Sequence, residues 1–296
     1  MRATMLTPAE VKRALDRIRL LQPNDGFAPR TSQWTYHCSF LDAHLAYRRE
    51  ALALGKELFT ACVERHLVGY RILQCNIYVK PPGVGEINLH QNWPAIADLS
   101  DTSLTLWCPL VDVDEENGVL KYIPGSHKLL PHVQGPDCHS FVEGMEADLQ
   151  DLLEWEALAA GEGIFADDSL IHGSEPNRSA QPRIAVQLIL VPADATPAYF
   201  HKVDDDVFEI VEADDDFWVR HQHQDLRVRQ ADWRHIAFVR NENRSVPKGE
   251  LEALLRDGPR IREQGLRLRS VDRALPEAAA RPPAKSGILR RLLGRA

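Results

Sequence analysis

The sequence predicts a mainly β protein whose core is a β-barrel or jelly roll with supporting helices. Two observations lead to this fold class. In residues 71–80, Cys75, Ile77 and Val79 alternate with polar side chains, which is the period-two pattern of a half-buried strand. More short strand candidates follow, separated by turn residues, and helical segments precede them. Short strands flanked by helices are typical of a barrel or jelly roll.

The other predicted strands are residues 103–113, 119–123, 163–165 and 184–191. Glu116-Asn117-Gly118 lies between the first two of them, and an Asn-Gly pair readily adopts the positive φ angles of a hairpin turn. We therefore expect residues 119–123 to return as the partner strand of residues 103–113.

Three helices are predicted. Thr7, Pro8 and Glu10 have the pattern of an N-cap, a first-turn proline and a capping-box glutamate, and they begin a helix over residues 8–21. Residues 45–67 are rich in good helix formers and contain no proline, which favours a second, longer helix. A short helix is expected at residues 248–256.

Composition limits the class of protein. With 296 residues, a formal charge of −8 and more Asp and Glu (43) than Lys and Arg (35), the chain lacks the basic face that a nucleic-acid partner needs, so a small-molecule partner is expected. Five cysteines without CxxC spacing indicate neither a disulfide framework nor a zinc–thiolate site. Without a signal-peptide core or a run of membrane-spanning length, we expect a cytoplasmic protein. The oligomeric state stays open.

The chain divides into three predicted regions. Residues 1–200 form the β core with its N-terminal helices, residues 201–275 form a C-terminal extension packed on that core, and residues 276–296 form a flexible basic tail. The apolar residues of the tail, Ile288, Leu289, Leu292 and Leu293, leave a second role open, as a basic amphipathic turn that docks on a partner or an anionic surface.

The segment His90-Gln91-Asn92 has the spacing of a metal-binding pair. Residues i and i+2 of a strand point to the same side, so His-x-Asp can place two ligands on one metal. A second histidine from a distant strand would complete the two-histidine, one-carboxylate triad of non-haem Fe(II) oxygenases, and His172 is placed for this. Here Asn92 replaces the carboxylate.

Arg183 follows His172 by eleven residues, near the start of the next apolar strand. The two side chains can therefore lie adjacent on an antiparallel pair. An arginine at that position can form a bidentate pair with the far carboxylate of a dicarboxylic cosubstrate, although a surface ion pair is the alternative.

Three segments together resemble the phytanoyl-CoA dioxygenase family of Fe(II)/2-oxoglutarate oxygenases. They are Leu89-His-Gln-Asn-Trp93, the stretch Trp107-Cys-Pro-Leu-Val-Asp-Val-Asp-Glu-Glu-Asn-Gly-Val-Leu-Lys-Tyr-Ile-Pro-Gly-Ser-His-Lys128, and His172-Gly-Ser-Glu-Pro-Asn-Arg-Ser-Ala-Gln-Pro-Arg183. The combination of Asn-Gly-x-Leu, Ile-Pro-Gly-Ser-His and His-Gly-Ser-x-Pro-Asn is more specific than His-x-Asp alone. The matched region covers roughly residues 70–192.

The resemblance implies a double-stranded β-helix and a set of site residues. His90 and His172, with Asn92, are implied as iron ligands, and Arg183 with Ser174 as the clamp on 2-oxoglutarate. Trp107 is similar in position to an aromatic residue of the cosubstrate pocket, although a core aromatic is equally expected. Gln74, Asn76 and Lys80 could reach substrate or cosubstrate, or form a solvated strand face.

The departure at Asn92 leaves two functions open. An amide oxygen is a poorer ligand for a hard divalent cation than a carboxylate, so weaker iron binding is expected. Asp98 and Asp101 could substitute if their loop folds back, and halogenation is disfavoured because Asn is too large to vacate the ligand position. The chain is then either an active oxygenase of a small organic substrate, with Fe(II), 2-oxoglutarate and O₂, or a ligand-binding scaffold without iron chemistry. In an active enzyme, Asn92→Asp should maintain or raise activity.

Other acidic and histidine clusters are predicted to be solvated. His221-Gln-His223-Gln-Asp225 has the ligand types of an adventitious Zn²⁺ or Ni²⁺ site but lacks a distant third ligand. The Asp triplets that begin at residues 204 and 214 lack the spacing of a calcium loop. We expect all three to lie on the surface.

Overall fold

The structure, a computed structural model, describes residues 1–21, 26–29, 35–264 and 266–274, with the backbone alone for residues 259–264. The helices of this part are α1 (Pro8–Leu21), α2 (Leu45–His66), α3 (Phe217–Arg220) and α4 (Lys248–Gln264). The strands are β1 (Arg2–Thr4), β2 (His37–Cys38), β3 (Tyr70–Lys80), β4 (Ile87–His90), β5 (Leu104–Pro109), β6 (Leu120–Tyr122), β7 (Glu162–Asp167), β8 (His172–Ser174), β9 (Arg183–Pro192), β10 (Ala198–Lys202), β11 (Val207–Glu212) and β12 (Arg234–Arg240).

Two antiparallel sheets form the core. The large sheet has the strand order β1-β7-β5-β9-β3-β2, and the small sheet has the order β4-β8-β6. Side chains of β3 and β9 hydrogen-bond to Ser174 of β8, so the small sheet faces the large one. The predicted mainly β fold with a double-stranded β-helix core is confirmed.

Helices α1 and α2 cover the outer face of the large sheet. Ile18 of α1 and Phe59 of α2 belong to the same buried cluster as Ile77 of β3 and Leu188 of β9. The side chains of β3 that alternate with Ile77 therefore point to the inside of the barrel, where the candidate site lies.

The predicted helix α1 is confirmed at both ends. The backbone N–H of Thr7 donates to Glu10 Oε2 at 2.8 Å, and the N–H of Glu10 donates to Thr7 Oγ1 at 3.3 Å, which is the reciprocal pattern of a capping box. Helix α2 matches its prediction to within a residue, whereas α4 continues to Gln264, well past the expected end at residue 256.

The predicted hairpin is wrong. Strand β6 pairs with β8 of the small sheet instead of with β5 of the large sheet. The Asn117-Gly118 turn does adopt positive φ at Gly118 (82°), but it carries the chain across from one sheet to the other. A Cβ at Gly118 would lie 2.5 Å from the backbone oxygen of Glu175, so the crossing requires glycine.

Strands β10, β11 and β12 form a third sheet. The predicted boundary between residues 200 and 201 falls within β10. It stays a prediction. The predicted tail, residues 276–296, lies outside the described residues. None of the described helices combines the length and the apolar character that crossing a membrane requires.

Candidate functional site

His90 and His172 lie opposite each other on neighbouring strands of the small sheet. They are register partners of β4 and β8, and their ring centroids are 4.4 Å apart. Each Nδ1 bonds at 2.8 Å to a carbonyl oxygen two residues earlier, that of Asn88 or Leu170. Because a carbonyl only accepts, Nδ1 of each ring carries the proton and Nε2 keeps the lone pair that can bind a metal.

Both imidazoles are held in the neutral form. Desolvation lowers the pKa of His90, and it lowers the pKa of His172 to about 3, with the neighbouring His90 as a second cause. A neutral imidazole is the form that ligates metals, so the pair does not have to lose protons near neutral pH.

Asn92 lies two residues beyond His90, and its amide is held at both ends. Its Nδ2 donates to Thr105 Oγ1 at 2.7 Å and lies 3.5 Å from Asp168 Oδ1, while its Oδ1 accepts a long hydrogen bond (3.4 Å) from Gln187 Nε2. The backbone N–H of Asn92 also donates to the backbone oxygen of Asp168 at 2.9 Å. Asn92 is thus anchored to the end of β7 and to the large sheet.

Asp168 is a buried carboxylate next to Asn92. It is 3% exposed, its Oδ1 accepts the hydroxyl of Thr105 at 2.5 Å, and its Oδ2 has no hydrogen-bond partner among the described residues. Burial raises the pKa of Asp168 to about 7, and nearby Asp167 adds to the rise, whereas the Thr105 hydrogen bond opposes it. Spacing along the sequence did not indicate this residue.

A chain of amide hydrogen bonds crosses the barrel to Asn92. Gln74 donates to Asn76 (3.1 Å), Asn76 to Gln187 (3.0 Å) and Gln187 to Asn92, so each amide nitrogen donates to the next amide oxygen. Gln74 is half-buried and Asn76 is buried, so the alternative of a solvated strand face is wrong for this strand.

Arg183 and Ser174 are brought together as predicted. Arg183 is 2% exposed, and its Nη2 donates to Ser174 Oγ at 3.3 Å and to the backbone oxygen of Gly118 at 3.2 Å. The guanidinium lies over the ring of Trp107, 5.5 Å from its centroid. Its Nε has no hydrogen-bond partner among the described residues, and burial lowers the pKa of Arg183 to about 10.

Lys80 is a second buried cation at the same place. It is completely buried, and its Nζ donates to Ser174 Oγ (2.5 Å) and to the backbone oxygens of Ser174 (3.2 Å) and Glu175 (2.6 Å). Among the described residues, neither Lys80 nor Arg183 has a carboxylate within 4.0 Å. Two positive charges held here with only neutral partners would be costly unless an anion joined them, so this end of the barrel is suited to bind a carboxylate.

We expect Lys80→Met to remove a pH dependence from the stability of the ligand-free protein. Burial, followed by the charge of Arg183, lowers the pKa of Lys80 to about 6 from its ordinary value of 10.5. Between these values the unfolded chain binds one more proton than the folded chain, so the free energy of unfolding rises with pH. The slope can approach ~1.4 kcal/mol per pH unit.

Denaturant unfolding between pH 6.5 and 9 measures that slope. It should be flatter in Lys80→Met and unchanged in Lys12→Met, whose side chain is exposed on α1. An equal slope in Lys80→Met and the native chain would show that Lys80 stays charged when the protein folds.

The donors fit a divalent metal only in part. Two neutral imidazoles with free Nε2 lone pairs suit Fe(II), but the described residues contain no group of three His, Cys, Asp or Glu side chains placed to share an ion. The predicted third donor, the amide oxygen of Asn92, is neutral and already accepts a hydrogen bond from Gln187 Nε2 at 3.4 Å. Asp98 and Asp101, considered as substitutes, form no hydrogen bond to Asn92; Asp98 instead accepts from Ser100 at 2.7 Å.

A cleft with a mixed polar and apolar lining opens beside Asn92. Its lining includes Asn92, Asp168, Ser103, Lys128 and Asp101, and its open volume, including the part that faces solvent, is about 420 Å³. Lys128 adopts a positive φ (52°), which is uncommon for a residue with a side chain, and its Nζ donates to Thr102 Oγ1 at 2.7 Å.

The competing histidine cluster is not solvated as predicted. His223 is buried and stacks near Trp93, with ring centroids 5.4 Å apart, and His221 accepts a hydrogen bond from Trp233 Nε1 at 3.3 Å. These histidines belong to an aromatic core at α3. The two Asp triplets are exposed as predicted.

Comparisons with known proteins agree with the resemblance. Residues 4–185 match the family model described as Phytanoyl-CoA dioxygenase (PhyH). A Stutzerimonas stutzeri protein named "Probable alpha-ketoglutarate-dependent hypophosphite dioxygenase" is 31% identical over 142 residues, which cover 45% of this chain and 50% of that protein. The Arabidopsis thaliana protein named "Phytanoyl-CoA dioxygenase" is 31% identical over 135 residues, covering 43% and 47%. The chain spans about half the length of these relatives.

Among solved structures, the non-heme alpha ketoglutarate dependent epimerase SnoN from nogalamycin biosynthesis is 24% identical, with a TM-score of 0.48, over 67% of this chain and 80% of that chain. This likeness is too distant to add to the assignment. The family model, in contrast, spans more than half of the 296 residues and includes His90, His172 and Arg183. The chain therefore belongs to the phytanoyl-CoA dioxygenase family.

Proposed function

We propose that this protein is an Fe(II)- and 2-oxoglutarate-dependent dioxygenase. It would use O₂ to oxidise a C–H bond of a small organic metabolite, commonly by hydroxylation, while 2-oxoglutarate is converted to succinate and CO₂. The iron would be held by His90, His172 and Asn92, and 2-oxoglutarate by Arg183, Ser174 and Trp107, with Lys80 as a further contact. The names of both curated relatives describe dioxygenases.

One observation carries the proposal: strand β8 presents His172 and Ser174 on the same face. Residues i and i+2 of a strand are about 7 Å apart and point to the same side. Ser174 also contacts both buried cations, Lys80 and Arg183. A short dicarboxylate can thus reach a metal at His172 with one end while its other carboxylate lies against Ser174.

The chain's own residues bind and orient the reactants. Fe(II), when bound, supplies the oxygen-activating chemistry. Backbone carbonyls keep both imidazoles in the ligating tautomer, and Arg183 and Lys80 neutralise the far carboxylate of the cosubstrate. Because these two cations are buried, the bound carboxylate is shielded from water and its position is fixed, which aligns the keto-acid end with the histidines.

The cleft beside Asn92 is the candidate substrate site. Its lining combines charged and hydroxyl side chains, including Lys128 and Ser103, with apolar ones such as Ile96 and Leu99, which suits a small substrate that has both polar and apolar parts. Gln74 and Asn76 would influence the substrate site without contacting the substrate. Their hydrogen bonds lead through Gln187 to Asn92, which lines the cleft.

A second candidate function is a ligand-binding protein that has lost iron chemistry. The observation in its favour is the third donor, since Asn92 is neutral and its amide is already hydrogen-bonded at both ends. In that case the buried cations would still bind a carboxylate ligand.

Anaerobic titration of the metal-free protein with Fe(II) and 2-oxoglutarate distinguishes the two functions. A chelated keto acid gives Fe(II) a weak visible charge-transfer band, so a saturable band is expected for the oxygenase. A chain that binds 2-oxoglutarate calorimetrically but never develops the band would be a ligand-binding protein instead.

A further inference from the structure

The carboxylate that is absent at position 92 has a counterpart elsewhere in the site. Asp168 begins the turn that follows β7, far from His90 in sequence, yet two contacts join it to Asn92. One is the backbone hydrogen bond at 2.9 Å, and the other is the 3.5 Å approach of Asp168 Oδ1 to Asn92 Nδ2. Thr105 bridges the same two side chains, accepting from Asn92 and donating to Asp168.

These contacts fix the orientation of the Asn92 side-chain amide, that is, which position Oδ1 occupies and which position Nδ2 occupies. The hydroxyl proton of Thr105 goes to Asp168, so Thr105 presents a lone pair to position 92. An amide turned the other way would place Oδ1 against that lone pair and against the carboxylate of Asp168, and would place Nδ2 against Nε2 of Gln187. Both changes replace an attraction by a repulsion, so the network fixes the amide orientation.

Asp168 also differs from the buried carboxylate of Glu209. Glu209, on β11, is paired with Arg229 at 2.8 Å, whereas no cation lies within 4.0 Å of Asp168 among the described residues. A buried carboxylate without a cation is unfavourable, and a divalent cation on the far side of the Asn92 amide would offset that cost. Partners of metal ligands tune metal affinity in this way.

We infer that Asp168 is a positioning residue for the metal. It fixes the amide of Asn92 so that the oxygen is the available donor, and it supplies from behind that amide the negative charge that a carboxylate at position 92 would bring. This inference rests on the proposed function, since it requires a metal at His90 and His172.

Four proteins test the inference by exchanging the charge between the two positions: the native chain, Asp168→Asn, Asn92→Asp and the double variant Asn92→Asp/Asp168→Asn. Ni(II), which is stable in air, serves as the probe, and calorimetry gives its dissociation constant. Asp205→Asn is the matched control, because the side chain of Asp205 is 96% exposed and lies between β10 and β11, outside the cleft. Thermal unfolding without metal shows whether each variant folds.

Asp168→Asn should weaken Ni(II) binding roughly 10- to 100-fold, the usual effect of removing a partner of a metal ligand. Asn92→Asp should restore the affinity in the Asp168→Asn background and should improve it less in the native background, where two carboxylates would lie within about 3.5 Å of each other. Asp205→Asn should bind like the native chain.

Equal effects of Asn92→Asp in the two backgrounds, with metal still bound by all four proteins, would overturn the inference alone and leave Asp168 as an acceptor for Thr105. If none of the four binds Ni(II), the inference and the proposed function both fail. Should Asp168→Asn not fold, the comparison of Asn92→Asp with the double variant still decides. A carboxylate at position 92 makes the one at position 168 redundant, so the two proteins should bind Ni(II) about equally, and a double variant that binds roughly 10- to 100-fold more weakly would overturn the inference.

Discussion

Arg183→Met should raise the dissociation constant of 2-oxoglutarate by at least about 30-fold in the metal-loaded protein. Removing one member of a buried, hydrogen-bonded charge pair costs roughly 2 kcal/mol or more, and each 1.4 kcal/mol is a factor of ten. The loss should be large here because Arg183 is 2% exposed, so water cannot take over the contact. Calorimetric titration of the Ni(II)-loaded protein measures it.

Arg183→Lys separates charge from geometry. Lysine keeps the positive charge but lacks the planar fork that binds a carboxylate through two parallel hydrogen bonds, so an intermediate affinity is expected. Arg178→Met is the matched control, since Arg178 lies in the connection between β8 and β9, shortly before Arg183, but is exposed and paired with Glu175. An Arg183→Met protein with native affinity for 2-oxoglutarate would move the carboxylate site away from Arg183 and Ser174.

Arg183→Met should weaken 2-oxoglutarate binding without lowering the stability of the ligand-free protein. In the ligand-free protein Arg183 has only neutral hydrogen-bond partners, and its positive charge contributes to the lowered pKa of neighbouring Lys80. Replacing such a charge by an apolar side chain of similar length is often neutral or stabilising. Arg183→Met should therefore unfold at the same temperature as the native chain or higher.

Local patterns predicted those parts of the fold that local contacts decide. The capping box of Thr7 and Glu10 lies within one turn, and the alternation of Cys75, Ile77 and Val79 reports directly on the face covered by the helices. The pairing of β6 could not be predicted in this way. A turn sequence specifies that the chain reverses, but only the packing of two sheets decides which strand lies beside it.

The candidate site shows the same limit. The motifs around His90 and His172 indicated two residues that lie opposite each other in the structure. Lys80 was indicated only weakly, because a polar residue inside a barrel and one on a solvated face have the same period in sequence. Asp168 has no spacing relation to His90, and only the fold brings the end of β7 against Asn92. A polar Gln187 within an otherwise apolar strand was a signal that could have indicated the amide chain.

His172→Ala should weaken Ni(II) or Fe(II) binding more than a hundredfold. Removing a mere partner of a metal ligand costs about 10- to 100-fold, and His172 would be one of only two imidazoles bound to the metal, so its loss should cost more. His139→Ala is the control, because the side chain of His139 is 88% exposed. Metal affinity is measured anaerobically for Fe(II) and by calorimetry for Ni(II).

His172→Ala and Arg183→Met should lose different ligands. Strand β8 is held by backbone pairing to β4 and β6, which does not need the imidazole, so His172→Ala should fold and keep the buried cations in place. It should then lose the metal and, with it, the metal-dependent part of 2-oxoglutarate affinity. Arg183→Met should keep the metal and lose the cosubstrate. Loss of both ligands in both variants would indicate a folding defect, and retention of the metal in His172→Ala would place the metal elsewhere.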